Sequence, residues 1–222
     1  MSRGVLYGSL AVAAALLYFL AWPVPVDPVS WPAPVDRGPV DPFGPDDRLQ
    51  AAVGIDLGDF EGPEDATIGN DGRLYATTNS GHIVRFDRRR VSEFAFTGGR
   101  PLGIETAADG SLVVANALLG LQRVDRDGNV SSLLDNVDGQ PLVYANSLAI
   151  GSTGTIYFSE SSRKFGAASN GGTYDASLLD IMEHGGHGRL FAFDPASGAA
   201  EVLIEGLNFA NGVAISSDDS FL

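Results

Sequence analysis

The sequence contains no cysteine among its 222 residues. This absence excludes thiol catalysis, thiolate metal ligands and disulfide bonds. Basic residues are also scarce, since 14 Lys and Arg stand against 28 Asp and Glu, which gives a formal net charge of −14. Proteins bind a phosphate backbone through Lys and Arg, so this balance argues against nucleic acid as a partner.

Charged residues are absent from positions 5–22, which read VLYGSLAVAAALLYFLAW. As an α-helix this stretch would be about 27 Å long, close to the thickness of a bilayer's hydrocarbon core. Arg3 precedes it, and the bulky sequence FLAWPVP offers no small-residue cleavage site. We expect residues 1–22 to be a membrane anchor that leaves the rest of the chain on the extracytoplasmic side. A cleaved signal peptide and a buried helix are the alternatives.

Residues 23–48, PVPVDPVSWPAPVDRGPVDPFGPDDR, are dense in proline. Proline at this density cannot sustain a helix or a central strand. The segment is therefore predicted to be an extended, semi-rigid spacer before a folded domain over residues 49–222.

An internal repeat dominates that domain. The stretch PEDATIGNDGRLYATTNSGHIVRFDR, from Pro63, aligns with PLGIETAADGSLVVANALLGLQRVDR, from Pro101, at a spacing of 38 residues. A third copy starts at Ala145, and a fourth starts at Ala210 and is cut in its second strand. Each copy reads as short apolar strands separated by Asp-Gly or other glycine turns. Four antiparallel strands in a repeat of about 40 residues are typical of a β-propeller blade, so the fold class is all-β.

Two further segments are placed by this pattern. Residues 49–57, LQAAVGIDL, are predicted to form an outer strand of the last blade. The stretch YDASLLDIMEH is predicted to be a short helix inserted between the second and third strands of the third repeat, with Asp175 as its cap.

Oxygen-bearing side chains recur where each innermost strand begins. They are Glu64 and Asp65, preceded by Glu61, in the first repeat, Asn146 in the third and Asn211 in the fourth. In a propeller these positions converge at one mouth of the central channel. Carboxylate and amide oxygens without His or Cys suit a hard cation such as Ca²⁺. The alternative is that the asparagines are ordinary turn residues.

The stretches GPEDATI, RPLGIETAADGSLVVAN, ANSLAI, LLDIMEHGGHGRLFAFDPASG and FANGVAISSDDSFL resemble the strictosidine synthase-like branch of the gluconolactonase and paraoxonase superfamily, over residues 58–222. The resemblance implies a six-bladed propeller, of which about three and a half blades lie in this chain. It also implies a calcium ion in the channel and hydrolysis of lactones, aryl esters or organophosphates. Carried over to this sequence, the calcium ligands would be Glu64, Asn146 and Asn211, with Glu61 as the alternative to Glu64.

The remaining pocket residues are predicted beside these ligands. Asp65, Arg100 and Ser159 lie at strand ends near the same mouth. Paraoxonases carry a histidine near the position of Asn116, so the resemblance places Asn116 in the substrate pocket and argues against a paraoxonase-type proton shuttle. No Gly-x-Ser-x-Gly elbow is present, which disfavours a serine hydrolase.

The sequence thus favours a calcium-dependent hydrolase that acts on a small-molecule lactone or ester, with the metal polarising the substrate carbonyl. A strictosidine synthase-like lyase and a non-catalytic propeller that binds a ligand or partner are the alternatives.

Overall fold

The computed structural model describes residues 3–40, 44–87 and 90–222. Two helices and fourteen strands lie in these ranges. The helices are α1 (Arg3–Ala21) and α2 (Thr173–Glu183). The strands are β1 (Ala66–Ile68), β2 (Leu74–Thr77), β3 (His82–Asp87), β4 (Arg90–Phe96), β5 (Pro101–Thr106), β6 (Leu112–Asn116), β7 (Gly120–Val124), β8 (Val130–Leu134), β9 (Asn136–Val137), β10 (Gln140–Pro141), β11 (Ala145–Ile150), β12 (Ile156–Glu160), β13 (Gly188–Asp194) and β14 (Ala199–Leu207).

Each of the first three repeats folds into one four-stranded antiparallel sheet. The strand orders are β1-β2-β3-β4, β5-β6-β7-β8 and β11-β12-β13-β14, and β9 and β10 form a separate hairpin. Every sheet is therefore a meander whose first strand is its innermost, as in a propeller blade. The predicted all-β propeller class is confirmed.

The first hairpin of each sheet closes on a glycine with a positive φ, at Gly72 (73°), Gly110 (82°) and Gly154 (88°). Glycine adopts this left-handed conformation without steric cost. In the first two sheets the preceding aspartate completes the turn, because Asp71 accepts from the Arg73 amide and Asp109 from the Ser111 amide. These recurring turns fix the register that the repeat predicted.

Apolar side chains between neighbouring sheets form the core. Ile83, Ile104 and Val114 pack together between the first and second sheets. Between the second and third, Phe158 stacks on Phe191 with ring centroids 4.7 Å apart, and both rings are fully buried. Burying such rings contributes about 1.5–3 kcal/mol each relative to exposure, so the contacts between sheets hold the arrangement together.

The innermost strands β1, β5 and β11 all begin at one end of the sheets, which we call the mouth end. Strand β12 runs back to this end, since Glu160 lies opposite Ala145. Helix α2 follows β12 and therefore also lies at the mouth end, where Ala176 packs against Tyr144. The predicted helical insertion is confirmed.

Helix α2 differs from its prediction in how it begins, and it buries its polar side. Gly172 occupies its N-cap, no side chain caps it, and Asp175 lies in its first turn instead. Its buried residues are Ala176, Asp180 and Glu183. The large apolar side chains Tyr174, Leu178, Ile181 and Met182 are exposed, because the charged side of the helix makes the polar contacts described below.

Two segments predicted to contain strands have none. Residues 49–57 are irregular, and residues 208–222, which hold the fourth copy, form turns without a strand. A strand requires a paired neighbour, and neither segment has one. The fourth copy is instead attached to the third sheet by serines: Ser161 Oγ donates to the Ala210 carbonyl (2.7 Å) and Ser159 Oγ to the Asn211 carbonyl (2.6 Å).

Helix α1 has no buried residue. Its length and apolar composition are sufficient to cross a membrane. The spacer that follows is irregular in its described part.

Candidate functional site

A cavity of about 280 Å³ opens at the mouth end. It brings together four of the residues predicted from sequence, which come from three separate repeats: Glu64, Asp65, Asn146 and Asn211. The other lining residues are Gly103, Glu105, Ser147, Leu148, Gly212 and Val213. The convergence follows from the fold, because the innermost strands begin side by side.

Asn146 is the best-positioned of these side chains to bind a cation. It is 4% exposed, and its Nδ2 donates to Ser161 Oγ (2.7 Å), which in turn donates to the Ala210 carbonyl. No hydrogen bond to Asn146 Oδ1 is made by any residue that the structure describes. The serine therefore holds the amide in one orientation and leaves its carbonyl oxygen available as a ligand.

The two carboxylates of the first repeat have different surroundings. Asp65 accepts from the Ala66 amide (2.8 Å) and from the Ile104 amide (3.0 Å), so it links the first sheet to the second. Glu64 Oε2 lies 3.3 Å from Arg100 Nη2. Burial lowers the pKa of Arg100, and the charge of Glu64 opposes that shift. Glu64 is consequently the more available carboxylate, although it shares its charge with Arg100.

Glu105 lines the cavity but was missed by the sequence reasoning. It lies on β5, and Thr67 Oγ1 donates to its Oε2 at 3.4 Å. Burial raises its pKa, and the neighbouring charge of Asp65 raises it further. The available signal was an acidic residue inside the otherwise apolar innermost strand PLGIET.

Asn116 lies near Arg100, but its amide is fully occupied. Its Oδ1 accepts from the Arg100 and Leu118 amides (3.1 Å each), and its Nδ2 donates to the Gly98 carbonyl (2.8 Å) and to Gln122 (2.9 Å). The side chain is 0% exposed. Asn116 therefore stabilises the loop that carries Arg100 and has no free group for a substrate.

Ser159, Asn211 and Glu61 have three different surroundings. Ser159 is buried and bonded to the Asn211 carbonyl, so it positions the fourth copy. Asn211 is exposed, and among the described residues its side-chain amide has no partner. Glu61 accepts the Asn79 amide through its backbone carbonyl and does not line the cavity. The geometry favours Glu64 over Glu61 as the first ligand.

The donor set fits a hard cation in its chemistry. Within the described ranges no three His, Cys, Asp or Glu side chains converge as a metal site. The set consequently depends on the asparagine oxygens in addition to Glu64. One carboxylate and two amide oxygens are ligand types that Ca²⁺ accepts, and they fill only part of its usual six to eight positions.

The far side of the mouth end is closed by α2 and the spacer. The Asp27 amide donates to Glu183 Oε2 (2.8 Å) and the Val29 amide to the Glu183 carbonyl (2.8 Å). Trp31 stacks on His184 with centroids 4.5 Å apart. The proline-rich segment is thus attached to the end of α2.

Glu183 is the centre of this attachment. Besides the spacer amide, it accepts from Lys164 Nζ (2.6 and 2.7 Å) and lies 2.6 Å from His187 Nε2. Burial alone would raise its pKa, but these hydrogen bonds lower the pKa of Glu183 to about 2. His187, in the loop between α2 and β13, therefore belongs to this cluster.

Comparison with known proteins identifies the family of this chain. A family model described as strictosidine synthase matches residues 146–222, and one described as strictosidine synthase-like, N-terminal, matches residues 41–86. Protein STRICTOSIDINE SYNTHASE-LIKE 6 of Arabidopsis thaliana is 32% identical over 182 residues, which is 78% of this chain and 47% of the relative. The chain belongs to the strictosidine synthase-like family. The resemblance stated from the sequence is confirmed.

Another relative of this strictosidine synthase-like chain is the adipocyte plasma membrane-associated protein of Rattus norvegicus, 30% identical over 220 residues, with 89% of this chain and 55% of the relative covered. The chain spans about half the length of the curated relatives it matches.

Solved structures confirm the fold. A gluconolactonase from Xanthomonas campestris aligns with a TM-score of 0.58 and 20% identity over 76% of this chain and 59% of that one. A streptogramin B lyase aligns with a TM-score of 0.51 and 18% identity over 71% of this chain and 46% of that one. The neighbours carry names of different reaction types, so the fold alone does not assign the reaction.

Proposed function

We propose that this strictosidine synthase-like protein is a calcium-dependent hydrolase of small-molecule lactones or esters, with Ca²⁺ bound by Glu64, Asn146 and Asn211. One observation carries the proposal: residues from three different repeats, each at the start of an innermost segment, line the same cavity. The fold brings these positions together whatever residues occupy them, so the support for a metal site is that they carry oxygen-bearing side chains. The Asn146 carbonyl oxygen in particular is oriented and receives no hydrogen bond from the described residues.

The ion would supply electrophilic chemistry, since bound Ca²⁺ can polarise a substrate carbonyl and stabilise the developing oxyanion. The side chains of this protein would position the ion and the substrate. Asn146 presents a fixed oxygen, and Asp65 holds the first two sheets in register through the Ile104 amide. The lining of the pocket is mostly polar, which suits the oxygen-rich end of a lactone or ester.

Glu105 is our candidate for the group that moves a proton. It faces the cavity, and burial raises its pKa, so it can hold a proton at a higher pH than an exposed glutamate. A carboxyl group whose pKa is raised is better suited to general acid–base catalysis than an exposed glutamate. Its proposed role is to accept the proton of an attacking water or to protonate the leaving alcohol.

We further propose that α1 anchors the protein in a membrane and that the sheets lie on the extracytoplasmic side. The apolar helix supports the anchor, and a relative is named as plasma membrane-associated. Arg3 at the near end of α1 supports the orientation through the positive-inside rule.

Calcium titration by calorimetry on the full product of the gene tests the metal site. We expect saturable binding that is lost in the Asn146→Ala, Asn211→Ala double variant. Asn136→Ala is the matched control, because that exposed side chain bonds only to its neighbour Asp135. Binding that is unchanged in the double variant would contradict the metal site.

Hydrolysis assays with lactones and aryl esters test the reaction. We expect Glu105→Gln to retain calcium binding and to lower kcat by about 100-fold or more, as for loss of a general acid–base. Intact calcium binding without hydrolysis of any such substrate would contradict the hydrolase and indicate a binding propeller.

A further inference from the structure

A second cavity lies between the first two sheets, at the end opposite to the candidate metal site. Strands β1 and β5 begin at the mouth end and finish at Ile68 and Thr106, and the turns that follow them form its rim. Its volume is about 500 Å³, and it shares no lining residue with the cavity at the mouth end. Nothing in the proposed hydrolase site uses it.

Three arginines line this cavity, Arg73, Arg85 and Arg126, together with a single acidic residue, Asp71. The chain as a whole has twice as many acidic as basic residues. An excess of positive charge around one cavity is therefore a local exception. The overall composition of the chain does not explain why arginines are concentrated at this cavity.

Two of the arginines have no acidic partner. Arg73 is neutralised by Asp71 (3.0 Å) and Asp87 (3.5 Å), but the ion pairs among the described residues include none with Arg85 or Arg126. Arg126 Nε and Nη2 both donate to a neutral acceptor, the Asp109 backbone carbonyl, Nε at 2.9 Å. The nearby charge of Asp109 interacts with Arg126, but neither Arg85 nor Arg126 forms an ion pair among the described residues.

Arg85 also has an unsatisfied donor. Its Nε is buried and makes no hydrogen bond within the ranges that the structure describes. The guanidinium lies over the Phe94 ring, 5.5 Å from its centroid, which holds the side chain in place without supplying an acceptor. A buried charged donor without an acceptor destabilises a protein, and an anionic ligand would supply the missing partner.

The backbone is shaped to let Arg126 approach. Gly110 has a φ of +82°, and a Cβ at that position would lie 2.8 Å from Arg126 Nε. Any other residue would be strained and would displace the guanidinium. The turn at Gly110 therefore leaves room for the Arg126 guanidinium at the rim of the cavity.

We propose that this cavity, the Arg85–Arg126 cavity, binds a small organic oxyanion. A carboxylate or phosphate group would be held by the guanidinium groups of Arg85 and Arg126, which form no ion pair among the described residues and whose fork of N–H donors matches such oxygens. The flat apolar part of the ligand would lie against Tyr75 and Phe94, which are aromatic lining residues. The volume is in the range typical of small-molecule sites.

Calorimetric titration of the full product of the gene with phenyl phosphate tests the proposal, with inorganic phosphate and phenol as part-ligands. We expect phenyl phosphate to bind most tightly, phosphate more weakly, and phenol without measurable heat. Arg85→Met and Arg126→Met should each weaken phenyl phosphate binding about tenfold or more, as for loss of a charge-assisted hydrogen bond. Arg163→Met is the control, because the Arg163 side chain is exposed, lies outside the cavity and, among the described residues, forms one ion pair, a 3.9 Å contact with Glu205.

The same titration in the presence of a calcium chelator separates this site from the metal site. Binding is expected to survive chelation, and its loss would mean that the anion binds at the metal and would overturn the proposal. Equal affinity in wild type and Arg126→Met would also overturn it. That variant carries the test even if Arg85→Met fails to fold, because Arg126 lies at the rim and bonds to a backbone carbonyl.

Discussion

The pair Glu160–Arg189 allows a quantitative test of how the third sheet is held beside the candidate site. Glu160 is 0% exposed at the end of β12, and its Oε2 accepts from Arg189 Nε (2.9 Å) and Nη2 (2.5 Å). Its Oε1 accepts the Val143 amide at 2.9 Å. The substitution Glu160→Gln keeps the shape of the side chain but removes its charge, which leaves the Arg189 charge buried and unpaired.

Breaking a buried pair by removing one partner costs about 3–5 kcal/mol. Arg189 keeps a contact with the Phe191 ring, 4.8 Å from the guanidinium carbon, so we expect a value near the lower end, about 3 kcal/mol. For a domain of this size that corresponds to a fall in Tm of about 6–12 °C. Urea unfolding followed by circular dichroism measures the loss directly.

Two further variants identify the cause. Glu201→Gln, on the exposed strand β14, should change the free energy of unfolding by less than about 0.5 kcal/mol. The double variant Glu160→Met, Arg189→Met should recover most of the loss, since apolar replacement of a buried pair is often neutral. A Glu160→Gln protein within about 1 kcal/mol of wild type would refute the reasoning. A double variant as unstable as the single one would show that packing and not charge is responsible.

Three other outcomes are expected. Ser161→Ala should weaken calcium binding about 10- to 100-fold in calorimetry, because Asn146 loses the acceptor that orients its amide; unchanged affinity would contradict that role. The low folded-state pKa of Glu183 stabilises the protein above its ordinary value of 4.5, and this contribution is lost as pH falls towards about 2. Unfolding measured between those pH values should therefore depend less on pH in Glu183→Gln, and parallel curves would argue against the cluster. Gly120→Ala should lower the free energy of unfolding by about 2 kcal/mol or more, since φ is +76° and the new Cβ would overlap the Leu134 carbonyl; an unchanged denaturation midpoint would contradict this.

The repeat made most of the fold predictable. Asp-Gly turns such as Asp71–Gly72 and Asp109–Gly110 carry a local conformational signal, and the apolar runs between them have the length of strands. Once the strands are arranged as blades, the starts of the innermost strands must meet, so the gathering of Glu64, Asn146 and Asn211 followed from topology alone.

Features that depend on contacts distant in sequence were not predictable in this way. The amide of Asn116 is occupied by partners up to 18 residues away, and Glu105 gains its raised pKa only when the sheets pack. Helical periodicity puts Leu178 and Ile181 on one face of α2, but periodicity alone could not show that this face would be the exposed one. That outcome was decided by Glu183, which buries the opposite face through partners on three other segments.

The attachment of the spacer to α2 has a mechanical consequence. Only four residues separate Ala21, the last residue of α1, from Val26, which packs beside the mouth end. Fully extended, that link reaches about 17 Å at most. Because the link is short, it keeps the mouth end close to the end of α1. Whatever holds α1 therefore also holds the candidate metal site nearby.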